Sequence, residues 1–313
     1  MIVTVTLNAA LDVTYRVPRV ELHTSHRVSK VTQVAGGKGI NVASVLALQG
    51  IPVLATGLLG GVAGELIRSD LDARGIRHDF CPCAGESRRA VTVVSEADGD
   101  ATVFNEPGPL VQPLEWSAFV RHLSGLVQRL GARVVVASGS LPPGVPADAY
   151  AEVVQVARDN GALCVVDSSS EALSASLAAM PDLLKPNRDE LREVTGEQSP
   201  VVGARRLIGL GAREVVVSAG ADGLLDVTAT GQVVRATLGA RLAGNPTGAG
   251  DAAVAALAAG LASGATARDS LADAIAWSAA AVLHPLAGQV RPEDIDRLRP
   301  LVRIEQLNDP DHE

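Results

Sequence analysis

The sequence predicts a three-layer α/β sandwich with a mostly parallel central sheet and a small β-sheet lid. Three observations lead there. Short β-branched runs alternate with longer Ala/Leu/Arg segments, the pattern of strands joined by crossover helices. Two stretches, Val13–Val34 and Arg77–Phe104, break that alternation and stay strand-like, which sets aside a second, smaller sheet. Aromatic residues are only 2% against 47% hydrophobic, so the core is built from Ala, Val and Leu, side chains that let helices lie close on a sheet.

The elements follow in order. Strands are expected at Ile2–Leu7, Val53–Leu58, Arg133–Ser138, Leu163–Asp167, Asp182–Lys185 and Glu214–Ser218. Helices are expected at Ile40–Leu48, Gly64–Arg74, Leu114–Leu130, Ala147–Asn160, Ser170–Ala179, Arg188–Thr195 and Pro200–Leu210, with two more at 251–262 and 266–283. In the interrupting stretches, Arg89–Val94 and Ala101–Asn105 flank EADGDA, whose Asp98-Gly99 is a hairpin turn signal. The tail NDPDHE at 308–313 is expected to fray. The 313 residues suit a single domain, 1–313, with the lid drawn from roughly 13–34 and 77–105.

Composition excludes several functions. The chain has 35 acids against 27 Lys plus Arg, a net charge of −8, so it lacks the basic field that nucleic acid or an anionic membrane requires. Three cysteines, 81, 83 and 164, make no disulfide framework, and the CPC at 81–83 has no second Cys/His cluster to complete a metal site. The N-terminus opens on a strand without a basic leader, and the longest uncharged run reads as a buried helix rather than a membrane span, so a cytoplasmic protein is expected.

In open α/β sheets, ligands bind beyond the carboxyl ends of strands. The distinctive sequences sit there: NAALD, SGSLPPG, DSS, KPNRDE and SAGADG. The segment GNPTGAGDAAVAALAAG at 244–260 runs a glycine-rich turn into an apolar helix with one carboxylate, Asp251, at the joint. As G-x-G-x-x-A it fits a dinucleotide turn, but no strand leads into it and a helix follows. As a plain helix start it needs Thr247 for an N-cap and leaves Asp251 only a dipole role. A third reading uses every part: the backbone N–H groups of Gly248, Ala249 and Gly250 form an anion nest, and Asp251 beside it accepts a proton from a hydroxyl. These are the parts of phosphoryl transfer, and no G-x-x-x-x-G-K-[ST] is present, so a P-loop is ruled out. A second glycine pair with Lys38 and Asn41 opens a helix in AGGKGINVASVLALQG, 35–50. Asn187 and Glu190 in KPNRDEL read as a capping box whose side chains also share one face. Asp167 in DSSSEAL reads as metal ligand or as cap of the helix from Ser170, with the cap favoured.

AGGKGINVA together with NPTGAGDAAVAA resembles the two signature regions of the phosphofructokinase B (ribokinase-like) sugar kinases. TLNAALD, SGSLPPG, DSSSEAL, KPNRDEL and VVVSAGADG fall in that family's order, so the resemblance spans nearly the whole chain. It is nearest the hexose-phosphate branch: 1-phosphofructokinase, tagatose-6-phosphate kinase and minor-type 6-phosphofructokinase. It implies a ribokinase-like fold using ATP and Mg²⁺. Asp251 is then the catalytic base, and Gly248, Ala249 and Gly250 the anion hole. Asp12, Gly36, Gly37, Lys38, Asn41, Arg88 and Ser138 bind substrate, with Lys38 and Arg88 on its phosphate ahead of Arg27 and Arg89. Lys185, Asn187, Ser218, Gly220 and Gly223 bind nucleotide, and Glu190 with Asn187 positions Mg²⁺, often through water. Ala9, Ala219 and Thr247 depart from the residues common in relatives. The implied reaction phosphorylates a ketohexose phosphate, fructose 1-phosphate first, with tagatose 6-phosphate or fructose 6-phosphate as rivals. A homodimer through the lid is implied as well. Outside this class stand a nicotinamide-dependent oxidoreductase using GAGDAA and a non-catalytic sugar-phosphate sensor.

Overall fold

A computed structural model describes residues 1–307 other than 29, 98, 169 and 241, and for Ser170 the backbone alone. Asp98 of the expected hairpin turn and the tail 308–313 lie outside the described residues. The first half of the chain runs β1 Ile2–Thr6, β2 Ala10–Val17, β3 Val31–Gly36, α1 Lys38–Leu48, β4 Val53–Leu59, α2 Gly61–Ala73, β5 Cys81–Pro82, β6 Arg88–Ser95, β7 Ala101–Asn105, α3 Pro113–Leu130 and β8 Val134–Ser138. The second half runs α4 Ala149–Asp159, β9 Leu163–Asp167, α5 Ser170–Ser176, β10 Leu183–Leu184, α6 Arg188–Thr195, α7 Pro200–Gly209, β11 Glu214–Ser218, β12 Leu224–Thr228, β13 Val233–Leu238, α8 Ala249–Ser263, α9 Ala267–Val282, α10 Pro292–Leu298 and β14 Val302–Gln306.

The main sheet has ten strands in the order β14-β13-β12-β11-β10-β9-β8-β1-β4-β5. From β5 to β11 neighbouring strands pair parallel; β12, β13 and β14 add antiparallel. Strands β1, β4 and β8 are buried on both faces, which is why they read as unbroken apolar runs rather than alternating ones. One core, with Ile40, Leu46, Ile67 and the alanines of α8 and α9, covers one face of the sheet. The other, with Phe119, Leu123, Tyr150 and Leu207, covers the opposite face. Sheet and two helical coats make three layers, the expected α/β class.

A separate four-stranded sheet, β3-β2-β6-β7, pairs β2 antiparallel to β3 and parallel to β6. Its first strand starts at Ala10, inside NAALD, just after β1 of the main sheet, and β3 ends at Gly36, inside AGGKG, which leads into α1. The strands β12, β13 and β14 and helix α10 lie outside the elements expected from sequence. In β12, LLDVT, a buried Asp226 interrupts the apolar run; in β14, VRIEQ, the exposed positions are the polar Arg303, Glu305 and Gln306.

Candidate active site

The site forms where β1, β8, β9, β10 and β11 end and α1, α6 and α8 begin. Helix α8 is apolar because it is buried: Ala252 to Ala258 are all covered. Its N-cap is Gly248, in the left-handed region at φ 85°, with no side-chain capping bond. Thr247 therefore does not cap the helix, contrary to the plain helix-start reading; Ala249 N donates to Pro246 O at 3.2 Å, and Gly248 and Gly250 offer their N–H groups to another acceptor. Nor does the dinucleotide-turn context exist. The preceding strand, β13, is antiparallel and stops at Leu238, well before the turn.

Asp251 lies one residue beyond Gly250 and is 7% exposed. Asn41 Nδ2, from α1, donates to its Oδ2 at 2.8 Å. Burial pushes the carboxyl up from 3.8 to about 7, and the nearby Asp167 carboxylate adds to the rise; Asn41, Lys38 and Lys185 oppose it. A carboxylate balanced near neutrality suits a proton acceptor.

Asp167, at the end of β9, organises the cations. Lys185 Nζ lies 3.3 Å and Lys38 Nζ 3.5 Å from its oxygens, and Ser138 Oγ donates to it at 3.1 Å. Burial alone would raise this carboxyl, but the two ammonium groups and the hydrogen bonds more than offset that and hold it below the usual range. The favoured sequence reading of Asp167, a cap for the helix from Ser170, falls at a helix start whose N-cap position, 169, lies outside the described residues; what the structure adds is that the carboxylate pairs with two lysines from other elements. The signal that could have found it is its place at a strand exit beside Lys185, itself 4% exposed. Lys38 is raised, first by Asp167 against the cost of burial, and also sits 4.0 Å from Glu190 Oε1. A side chain grown on Gly250 would lie 3.7 Å from Lys185 Nζ. The buried ammonium therefore adjoins Gly250 in the first turn of α8.

Asn187 and Glu190 form the capping box reciprocally: Asn187 N donates to Glu190 Oε2 and Glu190 N to Asn187 Oδ1, both at 2.8 Å. Ser218 bridges to Asn187 across the strand exits, and the turn at Gly220–Asp222 continues from it to Gly223. Glu190 keeps Oε1 toward Lys38. Among the described residues no cluster of three His, Cys, Asp or Glu could cage a metal. One carboxylate here still suits Mg²⁺, which retains waters and uses one or two carboxylates plus substrate phosphates.

The opposite wall belongs to the small sheet. Gly36, Ala10 and Arg88 face one another across β3, β2 and β6, and Asp12 lies two residues along on the same face. A Cβ at Gly36 would fall 2.1 Å from Asp12 Oδ2, so glycine is what lets that carboxylate tuck in. Burial raises Asp12 to about 6, with Arg88 opposing. Burial lowers Arg88, while Asp12 and Glu106 sustain its charge. Gly37, at φ 105°, turns the chain from β3 into α1. Two reserve cations are placed differently. Arg27 is exposed, and Arg89 pairs with Glu86 at 3.7 Å. Direct contacts thus join Asn41 to Asp251, Asp167 to Lys38, Lys185 and Ser138, Lys38 to Glu190, and Asn187 to Ser218, while Asp12, Gly36 and Arg88 gather on the small sheet.

The pfkB family carbohydrate kinase model matches residues 5–294 of this chain. A tagatose-6-phosphate kinase of Staphylococcus epidermidis is 32% identical over 306 residues, covering 95% of this chain and 97% of the relative. The structure of phosphofructokinase-2 from Escherichia coli in complex with fructose-6-phosphate superposes with a TM-score of 0.87 at 30% identity, covering 96% of this chain and 98% of the other. A Thermotoga maritima structure described as a possible 1-phosphofructokinase gives 0.88 at 27% identity, covering 98% and 100%.

Proposed function

The chain belongs to the pfkB family of carbohydrate kinases, and from that premise we propose that it transfers the γ-phosphoryl group of ATP to a hydroxyl of a ketohexose phosphate, fructose 1-phosphate first among them. One observation carries the reading: a buried carboxyl balanced near neutrality, Asp251, stands at the mouth of α8 beside the Gly248 and Gly250 amides and a buried lysine. In this reading Asp251 takes the proton of the acceptor hydroxyl. The new bond forms between that oxygen and the γ-phosphorus, the bond from the γ-phosphorus to its bridging oxygen breaks, and ADP leaves with that electron pair. The 248–250 amides and the Lys38 and Lys185 ammonium groups face the charge on the moving group. Mg²⁺, when bound, would be held by Glu190 with Asn187 alongside and would neutralise nucleotide phosphate charge. The nucleotide lies along Asn187, Ser218, Gly220 and Gly223.

On the sugar side, Asp12 and Asn41 accept or donate to hydroxyls, Gly36 and Gly37 let the substrate approach the backbone, and Ser138 closes the floor. Arg88 offers its fork to the substrate phosphate, a bidentate match that a lone ammonium lacks. The small sheet acts as the lid, excluding water when it closes. Its edge strand β7 is exposed throughout, with Val103 and Phe104 more than half exposed, and a second copy of the chain covers it in the assembly we propose. Sedimentation at catalytic concentrations tests that dimer; a monomer would remove it. No described helix is long and apolar enough to cross a membrane.

The deciding experiment is an ATP-consumption assay against fructose 1-phosphate, fructose 6-phosphate, tagatose 6-phosphate and free fructose. A phosphorylated ketose is expected to give the highest kcat/KM. Preference for the free sugar would overturn the assignment of Arg88 and Lys38 to a substrate phosphate.

A further inference from the structure

Asn8 follows β1 by two residues and is 6% exposed. Its backbone carbonyl accepts from Arg88 Nε at 3.1 Å. Its side-chain amide is held at two points. Nδ2 donates to Pro107 O at 3.0 Å, on the segment that returns from the small sheet, and to Ser140 Oγ at 3.2 Å, on the loop after β8. Its Oδ1 is buried without a hydrogen-bond donor. Against that oxygen lies Gly108, at φ 100°, where a Cβ would come within 2.2 Å. Position 108 must therefore be bare for Asn8 to fit, and the left-handed turn places it there.

These contacts converge on one consequence. With Arg88 Nε given to the Asn8 carbonyl, its two terminal nitrogens remain for an end-on fork to a phosphate. The anchor here is the Asn8 peptide, and the plane of that peptide is fixed by an amide pinned to two other loops. The acceptor Oδ1, left without a donor, contributes nothing to stability by hydrogen bonding and costs desolvation. A residue kept for packing would be better served by an apolar side chain of the same shape.

We propose that Asn8 is a positioning residue for the phosphate-binding arginine: it holds the Arg88 guanidinium through its own carbonyl and links that hold to the return of the small sheet at Pro107. The proposal rests on the reading of Arg88 as the substrate-phosphate ligand. Asn8 itself touches neither reacting group. When the small sheet moves, Pro107 moves with it, and the anchor of Arg88 is released or set accordingly.

A double-mutant cycle tests this. Wild type, Asn8→Ala, Arg88→Ala and the double variant are compared for kcat, KM for the preferred ketohexose phosphate and KM for ATP. Asn8→Ala is expected to raise the sugar-phosphate KM about ten-fold and the ATP KM less than two-fold, and to add less than two-fold in the Arg88→Ala background. Full multiplicative effects in the double variant, or an unchanged sugar-phosphate KM in Asn8→Ala, would overturn the proposal. Should Asn8→Ala not fold, Asn8→Ser fills more of the site and is read against the same cycle. A sugar-phosphate KM unmoved by Arg88→Ala alone would strike instead at the phosphate-site reading beneath it.

Discussion

Asp251→Asn separates the chemistry from the fold, because the burial that tunes this carboxyl also works against stability. The folded chain raises its affinity for a proton from 3.8 to about 7. Between those values the folded state holds a proton that the unfolded state has lost, so stability falls as pH rises through that window. The full loss, reached above pH 7, is roughly 4 kcal/mol. An amide of the same shape is neutral throughout and can still accept from Asn41. The variant is therefore expected to melt several degrees above wild type at pH 8, with the advantage fading toward pH 5. Its kcat should fall by about 10²–10⁴ with a smaller change in either KM. In the wild type, kcat/KM should drop about ten-fold from pH 8 to pH 6 as the base protonates. The assays are a coupled ADP readout and thermal melts across pH. A flat kcat/KM over that range, or superimposable melting curves at pH 8, would refute the placement of a near-neutral carboxylate at the mouth of α8.

Three further expectations follow from the same geometry. Gly36→Ala puts a methyl 2.1 Å from Asp12 Oδ2 and should raise the sugar-phosphate KM at least ten-fold with the ATP KM little changed; steady-state kinetics on both substrates checks it. Asp167→Asn strips the buried Lys185 of its counter-charge and should cost about 3–5 kcal/mol at pH 7. Because the Asp167 carboxyl is held below its usual range, that contribution is present above pH 4 and lost in acid, so urea melts of variant and wild type should converge as pH falls. Phe119→Ala, in the fully buried core under α3, should cost about 3–5 kcal/mol while leaving both KM values unchanged in the folded enzyme.

Much of this molecule is readable in one dimension because its central strands are buried on both faces. A strand such as Val134–Ser138 must be apolar at every position, and the run VVVAS says so. The antiparallel extension escapes that logic. In β12 the buried Asp226 rises to about 8, first through burial and then through the neighbouring Glu214, so a carboxyl stands where the pattern demands an apolar side chain. Local motifs were legible where the chemistry is local: the Asn187–Glu190 box needs only three residues of separation. The pairing of Asp167 was not, because its partners Lys38 and Ser138 come from elements far away in sequence. Gly248 was missed as the cap for another reason. Threonine is the better capping residue by propensity, and the left-handed backbone that displaces it is visible only in three dimensions.

The apolar character of α8 and the lone charge at its mouth are one arrangement. A polar helix would admit water to Asp251 and let its proton affinity relax toward that of a free carboxyl. An apolar one withholds water, and the Asn41 hydrogen bond together with Lys38 and Lys185 supplies the compensation. That compensation is incomplete by itself, which is why the carboxyl rests near neutrality rather than fully ionised. Asp167 keeps it incomplete: it binds both lysines and adds its own negative charge to the recess. Under the proposed function, an incoming anionic phosphoryl group would compete with Asp167 for the same two ammonium groups, so charge arriving at the mouth of α8 and the proton affinity of Asp251 would be coupled through one shared pair of lysines.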